Sequence, residues 1–109
     1  MTVSYKDAFV QASNENMTRK LLAHQGSLMM VEVCFHKAGD DPGLHSHPHE
    51  QIAYVLKGSI EFIVDGKSVG IFGEGDSIYF EPNIPHGGKP LTDNTVLLDV
   101  FTPQRDDFK

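Results

Sequence analysis

From Thr18 onward the pattern of apolar and polar positions in this chain is strand-like, clearest where apolar residues fall at every second position, the period of a half-buried β-strand. Thr18 to His24 reads as a strand with Gln25-Gly26-Ser27 as its turn. Leu28 to His36 reads as the next: Met29, Val31, Val33 and Phe35 alternate with Met30, Glu32, Cys34 and His36. Cys34 and His36 are then strand residues on the less apolar face, and Met29-Met30 is core filler. Ala38 to Gly43 is a turn by composition. Ile52 to Leu56 is strand-like, ended by Lys57-Gly58. Ser59 to Val64 and Lys67 to Phe72 flank Asp65-Gly66, a type I′ hairpin signal. Gly73 to Asp76 is a turn, Ser77 to Glu81 a short strand, and Pro82-Asn83-Ile84-Pro85 a rigid loop. Thr95 to Thr102 is a last strand, stopped by Pro103. No segment sustains a helical period. Short strands at nearly even spacing with Gly/Pro turns predict an all-β sandwich, jelly roll or barrel. Residues 1–17 are polar with scattered apolar positions, an arm or a short irregular lead-in. Residues 18–103 would make the barrel, and 104–109 a charged tail that retains Phe108.

Composition narrows the setting. At 109 residues with 39% apolar, the chain suits one domain over 1–109 with one core. A formal net charge of −6 argues against nucleic acid and anionic membrane as partners, though a pocket can carry the opposite sign. Cys34 is the only cysteine, so no internal disulfide is available and a reduced, cytoplasmic setting is expected. The first residues lack the apolar run of a signal peptide, and no stretch is long enough to span a bilayer.

Candidate chemistry concentrates in His45-Ser46-His47-Pro48-His49-Glu50-Gln51. Alternate residues of an extended strand share a face, so His45, His47, His49 and Gln51 would project together unless Pro48 bends the backbone. Pooled polar groups on one face are costly to bury without a purpose. Imidazole nitrogen is the commonest protein metal ligand, and an amide oxygen can join it. A solvated His-rich loop competes with metal binding. A following strand, a glycine turn and a second His-bearing turn favour the metal, because His86 stands directly behind the proline-limited segment Pro82 to Pro85.

These motifs resemble a known family. Gly39, five residues, His45-x-His47, three residues, Gln51, six residues and Gly58 resemble the first cupin motif, with Gln51 where most cupins carry glutamate. Gly75-Asp76 through Pro85-His86 resembles the second, with Pro82 one position late, Asn83 in place of glycine and Pro90 in place of asparagine. The resemblance implies a cupin double-stranded β-helix, a jelly-roll barrel. More closely, HPHEQIAYVLKG, GDSIYFEPNIPHG and VLLDVFTPQRDDF are similar to the KdgF-type pectin degradation proteins. These small cupins promote ring opening and ketonisation of 4,5-unsaturated uronate monosaccharides from pectin or alginate. The resemblance implies a metal set of His45, His47, Gln51 and His86, and a reactive set of Asp99, Phe101 and Arg105.

Three neutral imidazoles and a neutral amide would leave a divalent ion's charge uncompensated, suited to polarising oxygen and attracting an anionic sugar. Zn²⁺ and Ni²⁺ suit such a site, and Mn²⁺ and Fe²⁺ stay open. His49 is a candidate for supporting a metal ligand or contacting substrate, or an exposed histidine after the Pro48 bend. Asp99 and Phe101 share one face of the last strand with Leu97, opposite Val96, Leu98 and Val100. A strand apolar on both faces is usually buried on both, so Asp99 is either a carboxylate in an apolar lumen fit for proton transfer or one satisfied at a strand end. The outward Val96, Leu98 and Val100 predict a homodimer. Arg105 could hold a uronate carboxylate bidentately or lie on the surface. Two other functions fit the same motifs: a metal-dependent oxygenase, and a sugar- or metal-binding cupin without turnover.

Overall fold

The computed structural model describes residues 1–39 and 43–109. Among the described residues nine strands form two antiparallel sheets. They are β1 (Phe9–Asn14), β2 (Met17–Gln25), β3 (Leu28–Phe35), β4 (Glu50–Lys57), β5 (Ser59–Val64), β6 (Lys67–Gly73), β7 (Ser77–Phe80), β8 (His86–Pro90) and β9 (Thr95–Thr102). The larger sheet runs β1-β2-β3-β9-β4-β7 and the smaller β6-β5-β8. Among the described residues only two short 3-10 turns, Tyr5–Asp7 and Asp106–Phe108, interrupt the β structure.

The alternation read from the sequence becomes an inside and an outside. Met29, Val31, Val33 and Phe35 of β3, Ala53 and Val55 of β4, and Leu97 and Phe101 of β9 are buried. Ile60 and Phe62 of β5 meet them from the smaller sheet. Each fully buried large apolar side chain contributes about 1.5–3 kcal/mol. That core holds β9 central, between β3 and β4, where Asp99 pairs with Val31 on one side and Ala53 on the other. The Asp65-Gly66 hairpin has both residues at positive φ, 52° and 79°, as a type I′ turn requires.

Two strands depart from the sequence expectation. Residues 9–14 are not an irregular lead-in but an edge strand, paired with β2 through Phe9↔Leu21 and Gln11↔Arg19. Its pattern is inverted: Phe9 and Val10 are exposed while the polar Gln11 is half-buried. Residues 86–90 form β8, hidden in the sequence by two glycines and a proline. Those glycines sit where other parts of the chain approach closely. A Cβ on Gly87 would lie 2.6 Å from the Gly43 carbonyl oxygen, and one on Gly88 2.7 Å from Ile60 Cδ1. Of the turn expected at 38–43, Asp40, Asp41 and Pro42 lie outside the described residues. Met29 is core, but Met30 is 37% exposed on the outer face.

Candidate metal centre and active site

The histidine run is not one extended strand. β4 begins only at Glu50, after Pro48 has bent the chain, so His45, His47 and His49 do not share a strand face with Gln51. His45 instead bridges to β8: its N–H donates to the His86 carbonyl at 3.0 Å and its carbonyl accepts from the His86 N–H at 2.9 Å. The Asn83 N–H donates to the His47 carbonyl at 2.7 Å. These backbone bonds stitch the two sequence motifs together. Ring nitrogens of His45, His47 and His86 then lie within 4.8 Å of one another, and the three could hold a metal ion. Phe80 stacks on the His86 ring at 4.3 Å between centroids, and Phe101 meets His47 edge-on at 5.8 Å.

The donor set fits a cation. His47 Nδ1–H donates to the His49 carbonyl at 3.0 Å and His86 Nδ1–H to the Ile84 carbonyl at 3.1 Å. Each ring therefore presents its Nε2 lone pair inward, toward Gln51 Oε1, at 3.0 and 3.2 Å. Three acceptors converging on one point repel unless a positive charge lies among them. Turning the Gln51 amide over would relieve the rings but set its oxygen against the Asp99 carboxyl, which the amide N–H now favours in its charged form. Desolvation lowers the basicity of all three histidines, and His45, further opposed by His86 and His47, falls to about 4. They are neutral lone-pair donors at pH 7, the form a metal needs.

One cavity of about 510 Å³ opens onto these groups, lined among others by His45, Gln51, His86, Asp99, Phe101 and Arg105. Asp99 is buried and its Oδ1 has no hydrogen-bond partner. Its strand neighbours Val31 and Ala53 cannot serve it. Burial pushes its carboxyl up to about 7, only partly offset by Gln51, Arg19 and Arg105. Arg105 is not a surface residue of a loose tail. Its guanidinium lies 4.2 Å from the Phe108 ring centre and 5.3 Å from that of Phe101, and Nε and Nη2 donate to the Asp107 carboxylate at 3.1 and 2.9 Å.

His49 is set apart from this cavity. It packs against His47, ring centres 5.5 Å apart, with its own Nδ1 buried and unpartnered. Its contribution to the site is the carbonyl that orients His47. Cys34 is half-buried and free, and the exposed His36 ring shares a 2.7 Å hydrogen bond with Thr18, both away from the site. Gln11 and Arg19 are among the cavity residues that went unnoticed in the sequence. The available signal was Arg19 itself, a cation at an inward position between Met17 and Leu21.

Two sheets enclosing a three-histidine site define a cupin, and the chain belongs to that family: the cupin domain matches residues 31–101. It is 38% identical over 96 residues to the pectin degradation protein KdgF of Dickeya dadantii (strain 3937), covering 86% of this chain and 84% of that one. The structure of KdgF from a Halomonas species superposes with a TM-score of 0.90 at 29% identity, covering 100% of this chain and 98% of the other. An RmlC-like cupin from Shewanella frigidimarina NCIMB 400 superposes with a TM-score of 0.89 at 30% identity, covering 99% and 95%. Among the described residues no helix is long and apolar enough to cross a membrane.

Proposed function

We propose that this protein is a metal-dependent enzyme that promotes ring opening and ketonisation of 4,5-unsaturated uronate monosaccharides released from pectin or alginate. The observation that carries it is that an acceptor-only His47–His86–Gln51 set borders, through His86 and Gln51, the cavity that the desolvated carboxyl of Asp99 also lines. Likeness to KdgF supports the substrate class. His45, His47, Gln51 and His86 would hold one divalent ion, Zn²⁺, Ni²⁺, Mn²⁺ or Fe²⁺. When bound, the ion supplies Lewis-acid polarisation of a sugar oxygen.

The chain's own residues do the rest. Opening the cyclic hemiacetal frees an aldehyde at C1 and leaves an enol, C4=C5–OH. Ketonisation moves one proton from that hydroxyl to C4. A carboxyl that exchanges its proton near neutrality can give and take it, and Asp99 faces the cavity with an unpaired oxygen. Phe101 sets the edge of the pocket beside His47 and Gln51, and Arg105 places positive charge within it. A cavity of about 510 Å³ is ample for a monosaccharide. We place the reaction in a closed jelly-roll barrel of one domain over 1–109, in a reduced cytoplasmic setting that suits the unpaired Cys34.

The same proposal includes a homodimer. The outer face of the larger sheet sets Ile52, Tyr54 and Leu56 of β4 beside Leu98 and Val100 of β9 and Tyr79 of β7. Ile52, Tyr54, Leu56 and Tyr79 are 41–49% exposed. A second copy of this sheet is its natural cover. The functional assay is loss of the ultraviolet absorbance of the conjugated C4=C5 bond in unsaturated galacturonate. Catalysed loss above the spontaneous rate is expected, whereas tight binding without turnover would contradict the enzymatic assignment.

A further inference from the structure

Two guanidiniums, not one, reach the cavity. Arg19 projects from β2, and its cross-strand partner on β1 is Gln11. Its Cζ lies 4.2 Å from the Phe108 ring centre, the same distance as that of Arg105. The two cations differ in their engagement. The Nε and Nη2 donors of Arg105 are committed to Asp107 at 3.1 and 2.9 Å. Among the described residues the Arg19 guanidinium makes no hydrogen bond and no ion pair, although the residue is half-buried. Beside it the Gln11 Oε1 is buried without a partner. A desolvated cation and a desolvated acceptor, adjacent and both unserved, cost free energy that a bound ligand would recover.

We infer that Arg19, with Gln11 at its side, is the subsite that receives the sugar's carboxylate at the guanidinium and a sugar hydroxyl at the Gln11 Oε1, fixing the uronate between the β1–β2 wall and the histidines. The assignment rests on the uronate reading above and refines it: Arg19 offers an open planar fork, which matches a carboxylate bidentately, while Arg105 supplies field through an edge already occupied. Electrostatics agree. Arg105 repels Arg19, and Asp99 and Asp107 attract it, so an anion bound at Arg19 lowers its energy. Arg19 is thereby a specificity-determining residue for acid over neutral sugar, and it comes from strands that precede the matched cupin segment 31–101.

The test uses metal-loaded full-length protein and three compounds: unsaturated galacturonate as substrate, and saturated D-galacturonate and its methyl ester as non-reacting competitors. Arg19→Gln should raise KM for the substrate about 10- to 100-fold, the worth of a charge-assisted pair, with a much smaller change in kcat. Galacturonate should compete better than its ester against wild type, and Arg19→Gln should abolish that preference. Arg19→Lys keeps the charge without the fork and should recover part of it, which separates recognition from misfolding. If Arg19→Gln folds with wild-type KM and retains the acid-over-ester preference, the Arg19 assignment is overturned while the uronate reading stands. Wild-type protein that neither turns over the substrate nor binds galacturonate would overturn that reading itself.

Discussion

Asp99 is the residue on which the proposed chemistry turns. It sits on the central strand between Val31 and Ala53, with one carboxyl oxygen unpartnered. Asn is nearly isosteric and cannot titrate, so Asp99→Asn should leave the fold and the metal content unchanged. It should lower uronate turnover by about 10²–10⁴, the usual contribution of a positioned general acid or base. Turnover and metal content measured on the same preparation check this, and near-wild-type turnover would leave Asp99 a structural carboxyl. At this scale the sequence was most informative where spacing alone carries chemistry. His45, His47, Gln51 and His86 stand at motif intervals, and the fold brings all four together. Arg19 carries no such interval. Its place in the cavity follows from which face of β2 points inward and from β1 beside it, and neither is written locally.

At the scale of elements, the site depends on two segments held by backbone contact. The 43–47 segment and β8 exchange hydrogen bonds at His45 and His86, and the absence of a side chain at Gly87 lets the Gly43 carbonyl approach. Gly87→Ala should therefore cost about 1–3 kcal/mol by overpacking against backbone, and should weaken metal retention because His45 and His86 separate. Gly73→Ala is the control: an added Cβ there meets nothing within 4 Å, and stability should hardly change. Thermal unfolding and metal content of the two variants test the contrast. The same closeness explains why β8 was illegible. His86-Gly87-Gly88-Lys89-Pro90 lacks every β-propensity signal, and its strand conformation is imposed by pairing with β5 through Val64↔His86 and Phe62↔Gly88. β1 was masked differently: its inward residue Gln11 lines the cavity rather than the apolar core. Of the strands that meet the apolar core, β3 was legible from alternation, β5 from the Asp65-Gly66 hairpin signal and β9 from its apolar run stopped by Pro103.

For the whole molecule, the larger sheet presents a polar, cationic cavity on one face and an apolar surface on the other. Covering the outer face by a second copy predicts a particle of twice the 12.1 kDa chain mass by light scattering at micromolar concentration. Ile52→Lys should shift it to monomer, since the position is 49% exposed and faces Val100 and Tyr79 across the strands. A wild-type monomer would remove the dimer from the account and leave the site intact. The account stands most directly on whether the histidine–amide set serves a metal that turnover requires. The decisive measurement is the rate of unsaturated-galacturonate ketonisation by protein stripped with a chelator, then reloaded with single divalent ions, beside His47→Ala treated identically. The account predicts that stripping abolishes catalysis, that close to one ion per chain restores it, and that His47→Ala neither retains the ion nor recovers the rate. Full turnover in the stripped protein, or in His47→Ala without metal, would contradict it.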